Sequence, residues 1–158
     1  MIDGYTPPMA LLEAQMIIDR PVDEVFAFVA DQTNAPTWQR TLIGVQKLTE
    51  GPVGLGTKHS VERRVMGRTT SLANVYTEYV RNEIVGFDVT GPAYGHAVYL
   101  TKAVPDGTEL ISRMELNGRG PFKLLMPFIA RSIRREMRDN FVTLKAMLEA
   151  KSDTSAPG

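Results

Sequence analysis

After Pro8 the chain alternates: Leu12, Ala14, Met16 and Ile18 are apolar or small, and Glu13 and Gln15 between them are polar. A period of two is the pattern of a strand with one face on a core and the other in water. The period then changes. Val22, Val25, Phe26 and Val29 fall at i, i+3, i+4 and i+7, which is one face of a helix. Asp19 or Arg20 stands at its cap, Pro21 fits its first turn, and Asp23 and Glu24 suit the positive end of the helix dipole. Asp31 lies at its exit, and TNAPTW predicts a second short helix or turn ending on Trp38, the only tryptophan.

From Leu42 onward strand-like runs are separated by turn chemistry: GPVGLG after Glu50, Met66-Gly67, Arg81-Asn82, GPAYG at 91–95, and Asp106-Gly107. The spacing predicts about six further strands in an antiparallel meander. Alternation also assigns faces. Lys58, Ser60, Glu62 and Arg64 form a polar set that faces water, which turns His59, Val61, Arg63 and Val65 inward. By the same rule Ala97, Tyr99 and Thr101 point in, as do Leu110, Ser112, Met114 and Leu116.

After Gly120 the alternation ends. Phe122, Met126, Ile129, Ile133, Met137, Phe141, Leu144 and Leu148 line one stripe of a long helix, with Arg131, Arg134, Arg135, Arg138 and Lys145 about opposite. Pro127 removes a backbone donor and predicts a kink or restart. Asn140 falls inside the apolar stripe, and a polar amide there must find a partner in protein, water or ligand. The order predicts an α+β fold: a curved antiparallel sheet of about seven strands around a long C-terminal helix, with two short helices after the first strand. Such a sheet can leave an internal space beneath the helix. Residues 10–150 form the single domain, between a loose N-terminal extension (1–9) and a disordered tail (151–158).

Composition narrows the chemistry. Lysine plus arginine (18) equals aspartate plus glutamate (18), so no basic field calls for nucleic acid. The absence of cysteine removes disulfides, thiolate nucleophiles and zinc-thiolate sites, and fits a reducing compartment. No segment approaches the length of an apolar membrane span, and the N-terminus lacks a signal-peptide pattern. The expected location is therefore cytoplasmic, with no integral membrane association.

In PVDEVFAFVAD followed by Trp38, the loop GPVGLGT at 51–57, the segments TEYV and GFDVTGP, DGTELISRMEL, and LLMPFIARSIRREMRDNF with Leu144-Lys145, the chain resembles the START-like superfamily of helix-grip proteins. Within it, the likeness is to the polyketide cyclase/dehydrase-like group, over roughly residues 10–150. The resemblance implies a cavity for a hydrophobic ligand. It carries over no catalytic residue, because no reactive motif of that group matches this sequence, and the superfamily places lipid carriers, isoprenoid and hormone binders and aromatic cyclases on one scaffold.

Other motifs are set aside on context. GPVGLGTKH is followed by a strand rather than a helix, so it is a hairpin or rim loop and not a phosphate cradle. His59 and Glu62 point to opposite faces of a strand and cannot share a metal ion; His96 is the only other histidine. No metal or cofactor is expected. The expected ligand is a mainly apolar small molecule: a lipid, isoprenoid or polyketide-like aromatic. Phe26, Trp38, Phe87, Met114, Met126 and Ile133 are the expected wall or gate, and His59, Arg63, Tyr99 and Asn140 the polar contacts. The alternative is a cyclase or dehydratase with His59 as base and Arg63 or Tyr99 polarising a carbonyl. A third reading is an interaction module: between Pro121 and Lys151 seven basic residues face three acidic ones, a local excess of four.

Overall fold

The computed structural model describes residues 8–155, with side chains as far as 151. Seven strands form one antiparallel sheet: β1 (Ala10–Ile18), β2 (Leu42–Lys47), β3 (Lys58–Val65), β4 (Arg68–Val80), β5 (Ile84–Thr90), β6 (Ala93–Val104) and β7 (Gly107–Gly118). Their spatial order is β1-β7-β6-β5-β4-β3-β2. β2 to β7 are a run of neighbours in sequence, whereas β1 crosses to the far edge and pairs with β7, Ala10 opposite Leu116 and Ile18 opposite Thr108.

Alternation sets the faces as the sequence predicts. Leu12, Ile18, His59, Val61, Ala97, Tyr99, Leu110, Ser112 and Leu116 are all buried, and Arg63 and Met114 half-buried. Met66 and Gly67, both with positive φ, make the two-residue turn whose twist suits a hairpin. The β5–β6 turn is tighter than GPAYG suggests, because Ala93, Tyr94 and Gly95 already pair with β7. Register shifts at Leu42/Gly44 and at Tyr76/Glu78 bend the strands that carry them, as bulges do.

The first helix, α1 (Val22–Ala30), buries Val25, Phe26, Val29 and Ala30. Its cap is neither Asp19 nor Arg20 but Pro21, which makes no side-chain cap bond; the Pro21 carbonyl accepts from Glu24 and Val25. Arg20 instead holds Glu24 one turn on, at 2.6 Å. A 3-10 turn, Gln32–Thr37, follows, capped by the Asp31 side chain, which accepts from the Thr33 N–H. Tyr76 ties this junction to β4: its hydroxyl donates to Ala30 O at 2.5 Å and accepts from Gln32 N at 3.3 Å.

The last helix, α2 (Pro121–Ser155), is one continuous element that contains Pro127. It runs past residue 150 into the expected tail; the remainder of both expected loose ends, 1–7 and 156–158, lies outside the described residues. The predicted stripe is buried or half-buried throughout, and Arg131, Arg134, Arg135 and Arg138 are exposed. Burying each fully enclosed leucine, such as Leu144 or Leu148, stabilises by about 2 kcal/mol. The helix packs chiefly on β1 and β7, and the 3-10 turn on β2. The concave strip in front of β3 to β6 is therefore left only partly filled.

Candidate functional site

That strip holds a cavity of ≈ 90 Å³, measured at the centres of water-sized molecules, room for several waters or a small organic group. Its apolar wall includes Val61, Phe87, Met114, Leu116, Ile129 and Ile133. Gln32, Gln39 and Leu42 lie toward the 3-10 turn, and Val65, Thr70, Ala93 and Phe122 at the other end, beside the β3–β4 turn and the start of α2. A smaller space of ≈ 30 Å³ continues under α2, between Trp38, Ser112, Met137 and Phe141. Arg63, Gln39, Tyr99, Met114 and Ile133 belong to both.

The polar groups at this junction form one network. Arg63 Nη2 donates to Gln39 Oε1 at 2.8 Å and Nη1 to Thr41 Oγ1 at 3.2 Å. Gln39 Nε2 donates to the Tyr99 hydroxyl at 3.3 Å. Glu136 Oε2 stands 3.7 Å from Arg63 Nη1, while its Oε1 accepts from the Thr41 N–H at 3.0 Å. Asn140 Oδ1 accepts from the Arg40 N–H at 3.1 Å. The amide in the apolar stripe thus anchors the segment after Trp38 to α2.

Electrostatics follow from burial. Tyr99 is pushed up to about 12 by burial, against the opposing pull of Arg63 and Gln39, so it stays a neutral phenol and can donate its proton. Arg63 is lowered by the same loss of water and raised by Glu136; a guanidinium remains charged regardless. The site is a mainly apolar pocket with one cation, one phenol, one carboxylate already engaged by the chain, and the amides of Gln32, Gln39 and Asn74.

Of the residues expected from the sequence, Arg63, Phe87, Tyr99, Met114 and Ile133 line the main cavity, and Trp38 and Asn140 the smaller one. Trp38 is buried against Tyr99 and Phe141, and its indole N–H has no partner among the described residues. Phe26, His59 and Met126 lie outside both walls. Phe26 packs under α1 against Tyr79, and Met126 in the cluster of Leu12, Leu116 and Ile129. His59 is fully buried with its ring 5.3 Å from Tyr76, and neither ring nitrogen has a hydrogen-bond partner among the described residues. Burial lowers its pKa, against Asp31, which raises it. Gln39 and Glu136 were not singled out from the sequence. Glu136 could have been: it lies three residues after Ile133 and four before Asn140, inside the stripe.

Among the described residues no group of His, Cys, Asp and Glu side chains could hold a metal ion. Among the same residues no helix is long and apolar enough to cross a membrane.

The profile of the family described as polyketide cyclase / dehydrase and lipid transport matches residues 9–149. The chain belongs to this family. Several solved structures share its architecture. TTHA0849 from Thermus thermophilus is 14% identical, with 90% of this chain and 99% of that one covered and a TM-score of 0.77. A START superfamily protein from Mycobacterium smegmatis is 12% identical over 92% and 99%, with a TM-score of 0.67. The di-domain ARO/CYC protein BexL, from the BE-7585A biosynthetic pathway, is 19% identical over 89% of this chain and 47% of its own, also at 0.67. At these identities the likeness is one of fold. Among curated proteins no sequence matches the chain.

Proposed function

We propose that this START-like domain binds a mainly apolar small molecule bearing a carbonyl or carboxylate oxygen, seated between the sheet and α2. What carries the reading is the arrangement at Arg63 and Tyr99, two hydrogen-bond donors on the wall of a mainly apolar cavity. Arg63 has five N–H groups, and the chain occupies only part of them. Tyr99 accepts from Gln39, which leaves its own proton for an acceptor. Both donors therefore favour a ligand oxygen, while Val61, Phe87, Met114 and Ile133 favour an apolar body. The family description, which includes lipid transport, is consistent with this.

The second reading is a cyclase or dehydratase in the same cavity, supported by the family description and by the Arg63 and Tyr99 donors, which could polarise a ketone. It lacks a base. His59, the candidate from the sequence, is walled off beside Tyr76, and Glu136 is engaged by Thr41 and Arg63. Binding without turnover is the better fit.

Native mass spectrometry of the purified protein, then organic extraction, tests the binding reading: a co-purified apolar molecule with a carbonyl or carboxylate is the expected result. Neither a bound molecule nor uptake of fatty-acid and aromatic-ketone probes would sink it. Turnover of a poly-ketone surrogate that survives in wild type and is lost in Tyr99→Phe would favour the enzyme.

A further inference from the structure

Opposite its buried stripe, α2 carries a second face. Leu124, Phe128, Arg131, Arg135, Arg138 and Val142 recur at intervals of four and three residues, so they share one side of the helix. Leu124 is 83% and Phe128 68% exposed. Between Arg119 and Arg138 there are six basic residues and one acid, Glu136. That acid is buried against Thr41 and Arg63, and none of the six bases is in an ion pair with a described residue. Met66, 62% exposed at the tip of the β3–β4 turn, stands at the same end of the molecule, because its neighbour Val65 packs in one cluster with Phe122. Phe128, three residues before Arg131, puts an aromatic ring on this basic face.

Large apolar side chains at a helix start, followed along the same face by unpaired arginines, are matched by one kind of surface. Arg131 and Arg135 lie about 10 and 16 Å along the axis from Leu124, so tips that sink about 5–10 Å into a bilayer leave the guanidinium groups near the headgroups. The positive sign, against one exposed acid, Asp139, beside Arg138, selects anionic lipid. We propose that this end of the domain docks peripherally on an anionic lipid bilayer, with Leu124, Phe128 and Met66 entering the interface and Arg131, Arg134, Arg135 and Arg138 against the phosphates. Phe122, Val65 and Thr70 border the cavity at this end, so a docked domain presents its pocket to the acyl region. The docking stands on the outer face alone; only that last consequence rests on the proposed cavity ligand.

The test is sedimentation of the full chain with vesicles of phosphatidylcholine alone and with about one third phosphatidylglycerol, in low and high salt. The expected result is at least roughly ten-fold stronger partition onto the anionic vesicles, weakened by salt. Leu124→Ser/Phe128→Ser and Arg131→Gln/Arg135→Gln should each reduce it about ten-fold with unchanged circular dichroism and Tm, since all four side chains are exposed. Equal partition onto both vesicle types, or partition retained by both double variants, overturns the proposal; so does capture by an acidic protein with no vesicle binding. Ile133→Trp separates the two readings: filling the cavity removes probe uptake and leaves vesicle partition intact.

Discussion

Arg63, on β3, and Glu136, midway along α2, face each other across the cavity with 3.7 Å between Nη1 and Oε2. The carboxylate side chain is 7% exposed and the guanidinium side chain 20%. The pair joins sheet to helix at the place where the two otherwise stand apart. Glu136→Ala leaves the cation without its counter-charge and the Thr41 N–H without its acceptor. A loss of about 3 kcal/mol is expected, or roughly 6–12 °C in Tm. Arg63→Met/Glu136→Met should recover part of it, because the apolar pair removes the uncompensated charge while the Thr41 N–H stays without its acceptor. Urea denaturation of the single and double variants decides; strictly additive losses would show that the two residues are not coupled.

Ile133 lies in the wall of both parts of the cavity and is only half-buried. Ile133→Trp should fill the space, lowering affinity for an apolar fluorescent probe by more than about ten-fold while changing stability by less than ~2 kcal/mol. Fluorescence titration beside thermal melting separates these effects. A variant that still binds the probe as wild type places the probe elsewhere.

The two histidines should oppose each other in pH. His59 has its pKa lowered from 6.5. Between that lowered value and 6.5 the unfolded chain takes up a proton the native chain refuses, so stability falls as pH drops through this window. The slope from one proton is at most about 1.4 kcal/mol per pH unit. His96, on the outer face of the sheet, is held between Asp88 and Glu78 at 2.8 Å each. Partial burial lowers its pKa, but the two carboxylates outweigh this and the net shift is upward. Its contribution is complete below 6.5 and disappears as pH rises through the raised folded value. Urea midpoints across pH 5 to 9 should show His59→Phe with a flatter acid limb, and His96→Asn with a flatter limb above neutrality. The reverse pattern would contradict both assignments.

Gly95 is irreplaceable for a local reason. A methyl group there would collide with the Glu115 carbonyl of the neighbouring strand, a backbone atom that cannot rotate away. Gly95→Ala is expected to destabilise by more than ~3 kcal/mol. Gly54→Ala, where nothing lies within 4 Å and φ is unremarkable, should stay within about 0.5 kcal/mol of wild type. Chemical denaturation of the two proteins makes the comparison.

The fold was legible because each element carries its own period. Leu12 to Ile18 alternates, Val22 to Val29 does not, and the stripe from Phe122 to Leu148 repeats at helical spacing. Facing was legible for the same reason: His59 and Arg63 both point inward. What alternation cannot supply is depth along the strand. His59 falls beneath the end closed by α1 and the 3-10 turn, where Tyr76 covers it. Arg63, four residues on, falls where α2 stands away from β3. The difference is made by the packing of α2 on β1 and β7, a tertiary fact with no local signature. Gln39 is in the same position, since it lies two residues past the 3-10 helix, in a short connection with no periodicity to place its side chain.

The β1–β7 pairing sets an order of assembly. Ala10 finds its partner only at Leu116, whereas each later strand meets its neighbour across a turn. Of these seven strands the first to be synthesised is thus the last that can dock, and loop closure over such a separation is slow. Until then Leu12 and Ile18, buried completely at the end, stay open to solvent.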